Sequence, residues 1–235
     1  PSNSYLTAEQ VLAPEVFYPL VVKVCDKCWL VQTEDFANRE LFFSPEYAYF
    51  SSYSNSWLEH SKRYVTDVVS DRLRLGSNSL VVEIASNDGY LLQFVKEQGI
   101  PCLGIEPSKS TADVSREKGV ETLCEFFGAK LGVSLARKYP KADLMVANNV
   151  LAHVPDVHDF LTGFYAFLSD AGVATFEFPH LMSLVKKRQF DTIYHEHYSY
   201  LSLTSIVNVF KRNGLEVFDV EHLATHGGSL RIFAQ

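Results

Sequence analysis

From residue 80 onward, short apolar runs alternate with stretches in which apolar side chains recur every three or four positions. A continuous apolar run suits a strand buried on both faces, and the wider spacing suits a helix with one apolar stripe. The runs predict strands over residues 80–84, 102–105, 144–147 and 173–178, and the periodic stretches predict helices over 91–98, 112–118, 129–137 and 157–168. This β-α-β-α order implies an α/β fold whose mainly parallel sheet is covered on both faces and wound by right-handed crossovers. The rhythm breaks near the end. "LEVFDVEHL" and "SLRIFAQ" read as strands joined through Gly227-Gly228 with no helix between them, so the sheet should finish in an antiparallel pair.

Before residue 57 the texture differs. "FYPLVVKVCDKCWLVQ" reads as two short strands around a C-x-x-C knuckle, and "EYAYFSSYSNSW" as an aromatic, serine-rich loop without a period. Leu58, Val65, Val68, Val69 and Leu73 then return at helical spacing. The expected organisation is a small module over residues 1–56 and an α/β domain over 57–235. Cys25 and Cys28 supply two thiolates, half of the four ligands of a structural zinc. The alternative is a free dithiol, which a reducing cytoplasm permits. Cys102 and Cys124 read as apolar filler.

A length of 235 residues with 47% hydrophobic content describes a soluble globular chain. No run approaches the roughly 18 apolar residues of a membrane helix, and no basic and apolar leader opens the chain, so the expected location is the cytoplasm. A net charge of −7, with Lys186-Lys187-Arg188 as the longest basic block, argues against wrapping nucleic acid. Any anionic ligand must be held by local groups.

In such sheets ligands sit beyond the carboxyl ends of the strands. The first such loop, "EIASNDGYLL", stands where a dinucleotide fold carries G-x-G-x-x-G, yet Gly89 is its one glycine. Pyrophosphate needs closer backbone approach than this loop offers, which disfavours a nicotinamide cofactor. A strand-end acid, Glu83, with small polar residues behind it suits S-adenosylmethionine. Glu106, at the end of the next strand, can accept hydrogen bonds from both ribose hydroxyls. The bland reading makes Glu83 and Glu106 ordinary strand-end carboxylates. Farther on, "VANNVLAHVPD" places Asn148 and Asn149 at the cleft and His153 in the following loop, either as a functional group or as a surface residue.

The run "QFDTIYHEHYSYL" concentrates His195, Glu196, His197 and three tyrosines. If extended, its two histidines share one face; if helical, they miss the i, i+4 spacing that binds zinc. A metal would need a third ligand from elsewhere, and the flanking apolar residues suggest burial rather than solvated surface. Acid/base chemistry is the favoured reading.

The runs "SSYSNSWLEH", "VVEIASNDGYLLQ", "LGIEPS", "NNVLAHVPD", "EFPHL", "QFDTIYHEHYSYLSL" and "THGGSLR", in this order and across nearly the whole chain, resemble the sugar C-methyltransferase family. The resemblance implies a class I methyltransferase sheet, S-adenosylmethionine as methyl donor and a dTDP-linked 4-keto-deoxysugar methylated at C-3 as substrate. It also implies a structural zinc in the N-terminal module. Family members carry a first C-x-x-C upstream of the segment resembling "PSNSYL" and continue beyond "THGGSLR", so Cys25 and Cys28 would be half of that site. By the same resemblance His197 is the base that removes the C-3 proton, Tyr194 and Glu196 orient the sugar and tune His197, and His153 assists. Glu83, Ala85, Ser86, Asn87, Gly89, Glu106, Pro107, Phe127, Asn148 and Asn149 would surround the cofactor. Rival expectations are an O- or N-methyltransferase, which needs no carbon base, and a non-catalytic cofactor-binding domain.

Overall fold

The computed structural model describes residues 6–15, 17–36 and 49–235. Strands β1 (Val22–Val24) and β2 (Val31–Thr33) pair antiparallel around the cysteine knuckle. Helix α1 (Asn55–Tyr64) continues into a π-helical stretch over Val65–Arg72. There follow β3 (Val81–Ile84), α2 (Leu92–Glu97), β4 (Cys102–Ile105), α3 (Lys109–Glu117), β5 (Thr122–Leu123), α4 (Ala129–Lys138), β6 (Ala142–Asn148), α5 (Val157–Phe167) and β7 (Leu168–Pro179). The chain closes with α6 (Leu181–Lys187), β8 (Ser199–Tyr200), α7 (Leu203–Arg212), β9 (Val217–Leu223) and β10 (Ser229–Ala234).

Seven strands form one sheet in the order β5-β4-β3-β6-β7-β10-β9, parallel from β5 to β7. Strand β10 inserts antiparallel between β7 and β9, as the helix-free hairpin at the end of the sequence requires. Side chains alternate across the sheet. Val82, Ile84, Met145, Phe176 and Ile232 pack with Leu135 of α4, Phe164 of α5 and Phe210 of α7. Val81, Leu144, Val146 and Phe233 pack with Val65, Val68, Val69 and the α2 residues Leu92 and Val95. Helices α4 and α5 meet at backbone distance, since a Cβ on Gly132 would lie 2.4 Å from the Gly163 carbonyl oxygen.

Three expectations need correction. Residues 55–57 are helical rather than loop, because the Ser54 side chain accepts the Trp57 N–H and so caps α1; residues 46–48 of that expected loop lie outside the described residues. Strand β7 begins at Leu168, five residues before the expected start. Cys124 is exposed, with its thiol directed at the Pro107 carbonyl. A second, three-stranded sheet in the order β1-β2-β8 joins the N-terminal module to the histidine-rich motif. No helix among the described residues is long and apolar enough to cross a membrane.

Candidate active site

Beyond the carboxyl ends of β3, β4 and β6 lies a cavity of about 580 Å³, a size usual for small-molecule sites. Ala85, Asn87, Glu106, Pro107, Phe127, Asn148 and Asn149 line one part of it, and His153, Tyr194, Glu196 and His197 another. Glu83, Ser86 and Gly89, expected around the cofactor, stand behind this lining rather than in it.

The loop after β3 is shaped by left-handed backbone at Ala85 (φ 54°), Asn87 (φ 49°) and Gly89 (φ 74°). Such a conformation costs a non-glycine residue about 1–2 kcal/mol, so tertiary contacts must hold it. Asn87 supplies them. Its Oδ1 accepts the Ser51 N–H at 2.9 Å, its Nδ2 donates to the Tyr49 carbonyl at 2.9 Å, and its backbone N–H donates to Glu106 Oε2 at 2.9 Å. Asp88, which the sequence reading passed over, accepts the Ser52 N–H and pairs with Lys118 at 3.3 Å. Residues 49–53 are thereby fastened across the loop, and Tyr49 and Ser51 form part of the cavity wall. Gly89 serves packing: a Cβ there would lie 2.8 Å from Ser115 Oγ.

Glu106 Oε1 also accepts the Ser108 N–H at 2.9 Å, and the hydroxyls of Thr111 and Ser108 add to its hydrogen bonds. Burial raises its pKa, and the two backbone N–H groups oppose that rise. Burial raises Glu83 well above the usual carboxylate range, against a smaller opposite pull from the Tyr90 hydroxyl. Among the described residues, Ser86 Oγ, Asn148 Oδ1 and Asn149 Oδ1 are buried without a hydrogen-bond partner. They belong to the end of β6 and to the turns after β3 and β6. A buried polar atom left unsatisfied costs about 1–3 kcal/mol. A ligand bearing ammonium or hydroxyl donors answers Asn148 and Asn149, which line the cavity.

The motif backbone is neither extended nor helical over residues 194–197. The His197 N–H donates to the Tyr194 carbonyl at 3.0 Å, closing a turn that sends the two histidines apart. His195 faces the Pro19 carbonyl, with Nε2 at 3.1 Å, on the outside. His197 enters the cavity, so the pair does not form a metal site. His197 Nδ1 lies 2.8 Å from the Thr192 carbonyl oxygen. A carbonyl only accepts, so the proton sits on Nδ1 and Nε2 carries the lone pair. The Tyr194 hydroxyl, 3.0 Å from Nε2, donates into it. The same argument protonates His153 at Nδ1, 2.9 Å from the Glu196 carbonyl, with its ring centroid 4.7 Å from that of His197. Burial pushes His153 down to about 3, helped by His197. Burial also lowers His197, while the Thr192 carbonyl and the buried Glu196 charge pull the other way. Both imidazoles are neutral at pH 7, and His197 presents a basic nitrogen, Nε2, that accepts from the Tyr194 hydroxyl.

Trp57, Tyr90, Gln189, Thr192, Tyr200 and His226 also line the cavity. Sequence reasoning missed them, although the aromatic run before Trp57 and the Thr-His-Gly-Gly turn were visible signals. In the N-terminal knuckle, backbone N–H groups of Cys28 and Lys27 hold the Cys25 thiol below its ordinary pKa, an environment suited to a thiolate ligand. No group of three or more metal-ligating side chains occurs among the described residues, so this pair fits half of a zinc site.

Residues 57–220 match the family profile described as a methyltransferase domain, and residues 1–43 match a profile for a zinc binding domain. The chain is 37% identical over 233 residues to the C-methyltransferase NovU of Streptomyces niveus. That match covers 99% of this chain and 55% of the relative, so the chain spans about half the relative's length. The PH0226 protein of Pyrococcus horikoshii OT3 superposes with a TM-score of 0.63 at 12% identity, over 80% of this chain and 94% of that one. The magnesium protoporphyrin IX methyltransferase (ChlM) of Synechocystis PCC 6803, solved with bound SAH, gives 0.57 at 16% identity, over 75% and 82%. At these identities the solved structures establish the class I methyltransferase fold alone.

Proposed function

The chain belongs to the methyltransferase-domain family, and from that premise we propose that it transfers a methyl group from S-adenosylmethionine to C-3 of a dTDP-linked 4-keto-deoxysugar. One observation carries the reading. A neutral histidine with an unprotonated Nε2 and a tyrosine hydroxyl beside it share a cavity with Asn148 and Asn149, whose Oδ1 atoms are buried without a partner. The C-methyltransferase name of the 37% identical relative agrees with it. Glu106 would take the ribose hydroxyls, Asn148 and Asn149 the amino-acid end, and Pro107 and Phe127 the adenine.

S-adenosylmethionine supplies an electrophilic methyl group that needs alignment and no activation. The protein must make the carbon nucleophilic. His197 Nε2 takes the C-3 proton, and the electron pair of the broken C–H bond forms an enolate whose charge rests on the C-4 oxygen. The Tyr194 hydroxyl turns from Nε2 to donate to that oxygen. C-3 then forms its bond to the methyl carbon while the C–S electrons stay on sulfur, and the ketone returns. Nδ1 of His197, bonded to Thr192, keeps Nε2 aimed inward, and Glu196 stabilises the imidazolium that forms. His153 fixes the neighbouring ring without adding charge. Positioned proton transfer of this kind is worth about 100- to 10,000-fold. We propose a cytoplasmic location with it, since the free thiols of Cys25, Cys28, Cys102 and Cys124 suit a reducing compartment.

The test follows the proton. His197→Asn should abolish both methyl transfer and exchange of the C-3 proton with solvent deuterium, with cofactor binding intact. Tyr194→Phe should keep slowed exchange, since losing one donor to an oxyanion costs about 2.7–4 kcal/mol without removing the base. Label from methyl-labelled S-adenosylmethionine found on oxygen or nitrogen, or wild-type exchange in His197→Asn, would overturn the mechanism.

A further inference from the structure

Beside the main cavity runs a second groove of about 390 Å³ that shares Tyr49, Trp57 and His226 with it, so one ligand can extend from the first into the second. Its character is different. Arg63, His60, His226, Thr225, Ser54 and Ser56 line it, and among the described residues no carboxylate does, in a chain whose net charge is −7. Arg63 is exposed and forms no ion pair among the described residues. Ser54 and Ser56 sit at the first turn of α1, their hydroxyls 3.1 Å apart, where free helical N–H groups favour an anion.

Two features show that the groove is built rather than left over. His226 holds a left-handed backbone (φ 48°, ψ 40°) in the β9–β10 turn, a conformation strained for a histidine, and its ring meets Trp57 edge-on at 5.2 Å. On the other face of the groove His60 stacks on Trp57 at 4.9 Å while its Nε2 is fixed 2.8 Å from buried Glu177. Burial keeps the His226 ring below its ordinary pKa, so it offers an N–H, and Arg63 is the permanent charge.

We propose that this groove is the subsite for the diphosphate of the sugar nucleotide, with Arg63 as its charged contact and Ser54, Ser56 and His226 as hydrogen-bond donors. The proposal rests on the nucleotide-sugar reading above and specifies where the anionic part of that substrate lies. The sugar then reaches past Trp57 toward His197. The other anion that could reach the groove is the carboxylate of S-adenosylmethionine.

Calorimetry separates these cases with dTDP, inorganic pyrophosphate, thymidine and S-adenosylhomocysteine as probes, against wild type and the exposed-site variants Arg63→Ala and Arg63→Glu. The expected result is about tenfold weaker dTDP binding in Arg63→Ala, a larger loss in Arg63→Glu and a shallower salt dependence in both, with thymidine and S-adenosylhomocysteine unchanged. Pyrophosphate should follow dTDP. If dTDP binds wild type and both variants equally, the groove assignment falls and the nucleotide-sugar reading stands. If pyrophosphate binds through Arg63 and dTDP does not bind, the groove takes anions but the diphosphate assignment falls with the nucleotide reading. A parallel loss of S-adenosylhomocysteine affinity would give the groove to the cofactor's carboxylate and overturn the proposal.

Discussion

Asn87→Ala offers a quantitative test of how the cofactor loop is held. The substitution deletes two buried side-chain hydrogen bonds, to the Ser51 N–H and the Tyr49 carbonyl, both 2.9 Å long. At about 1 kcal/mol each, they amount to about 2 kcal/mol. Alanine must also adopt the φ of 49°, which adds about 1 kcal/mol. The sum is about 3 kcal/mol, or a melting temperature lower by about 6–12 °C for a chain of this length. Asn87→Gly loses the same bonds but tolerates the backbone, so it should fall by about 1 kcal/mol less. Equilibrium urea unfolding measures both, and titration with S-adenosylhomocysteine should show weaker binding in each, because Tyr49 and Ser51 leave the cavity wall. A loss below about 0.5 kcal/mol in Asn87→Ala would refute the clamp, and equal losses in the two variants would refute the backbone contribution.

The remaining expectations concern charge and packing. His153 binds no proton in the fold until about pH 3, whereas the unfolded chain protonates it below its ordinary 6.5, so stability is lost as pH falls through 6.5. At pH 5.5 the loss should be about 1.4 kcal/mol relative to pH 8, and urea unfolding of His153→Gln should lack that slope. Since burial lowers the pKa of His197, kcat/KM should hold down to pH 6.5 and fall only below it; a fall beginning above pH 7 would contradict the assignment of His197 as base. Gly132→Ala forces a Cβ to within 2.4 Å of the Gly163 carbonyl, and thermal unfolding should show a loss of about 1–3 kcal/mol.

The strands were readable because β3, β4 and β6 are buried on both faces and spelled as mainly apolar runs, broken by Glu83 in β3 and Asp143 in β6. Strands β5 and β8, two residues each, are too short to carry a pattern. Helix α7 was readable in principle, with a Ser202–Ser205 capping box ahead of Ile206, Val209 and Phe210. The site divides along the same line. Glu106, Asn148 and Asn149 follow from the rule that ligands gather at strand ends, whereas the roles of Tyr49 and Ser51 depend on contacts 36 to 38 residues away through Asn87. The divergence of His195 from His197 depends on a turn that alternation rules cannot foresee. Glu83 stands apart from them: it too ends a strand, but it lies outside the cavity lining and bonds the Tyr90 hydroxyl.

The small sheet explains how the N-terminal strands bear on the histidine-rich motif. Strand β8 is bonded to β2 through the pairs Val31–Tyr200 and Gln32–Ser199. Thr33 extends the ladder, its N–H donating to the Tyr198 carbonyl at 3.1 Å and its hydroxyl to the His197 carbonyl at 2.8 Å. On the opposite side the Tyr198 N–H donates to the Ala152 carbonyl at 2.8 Å, next to His153. The backbone that carries His197 is therefore held from both flanks, by the module on one and by the β6–α5 connection on the other. Irregular backbone between two anchors can keep a catalytic ring in place, as proton abstraction demands alignment within a fraction of an ångström. The loops after β4 and β6 rise directly from the main sheet, and the loop after β3 is held by residues 49–53 rather than by the small sheet. The two halves of the cavity thus depend on different contacts: loosening the small sheet should disturb the position of His197 before it disturbs the loop after β3, which residues 49–53 hold.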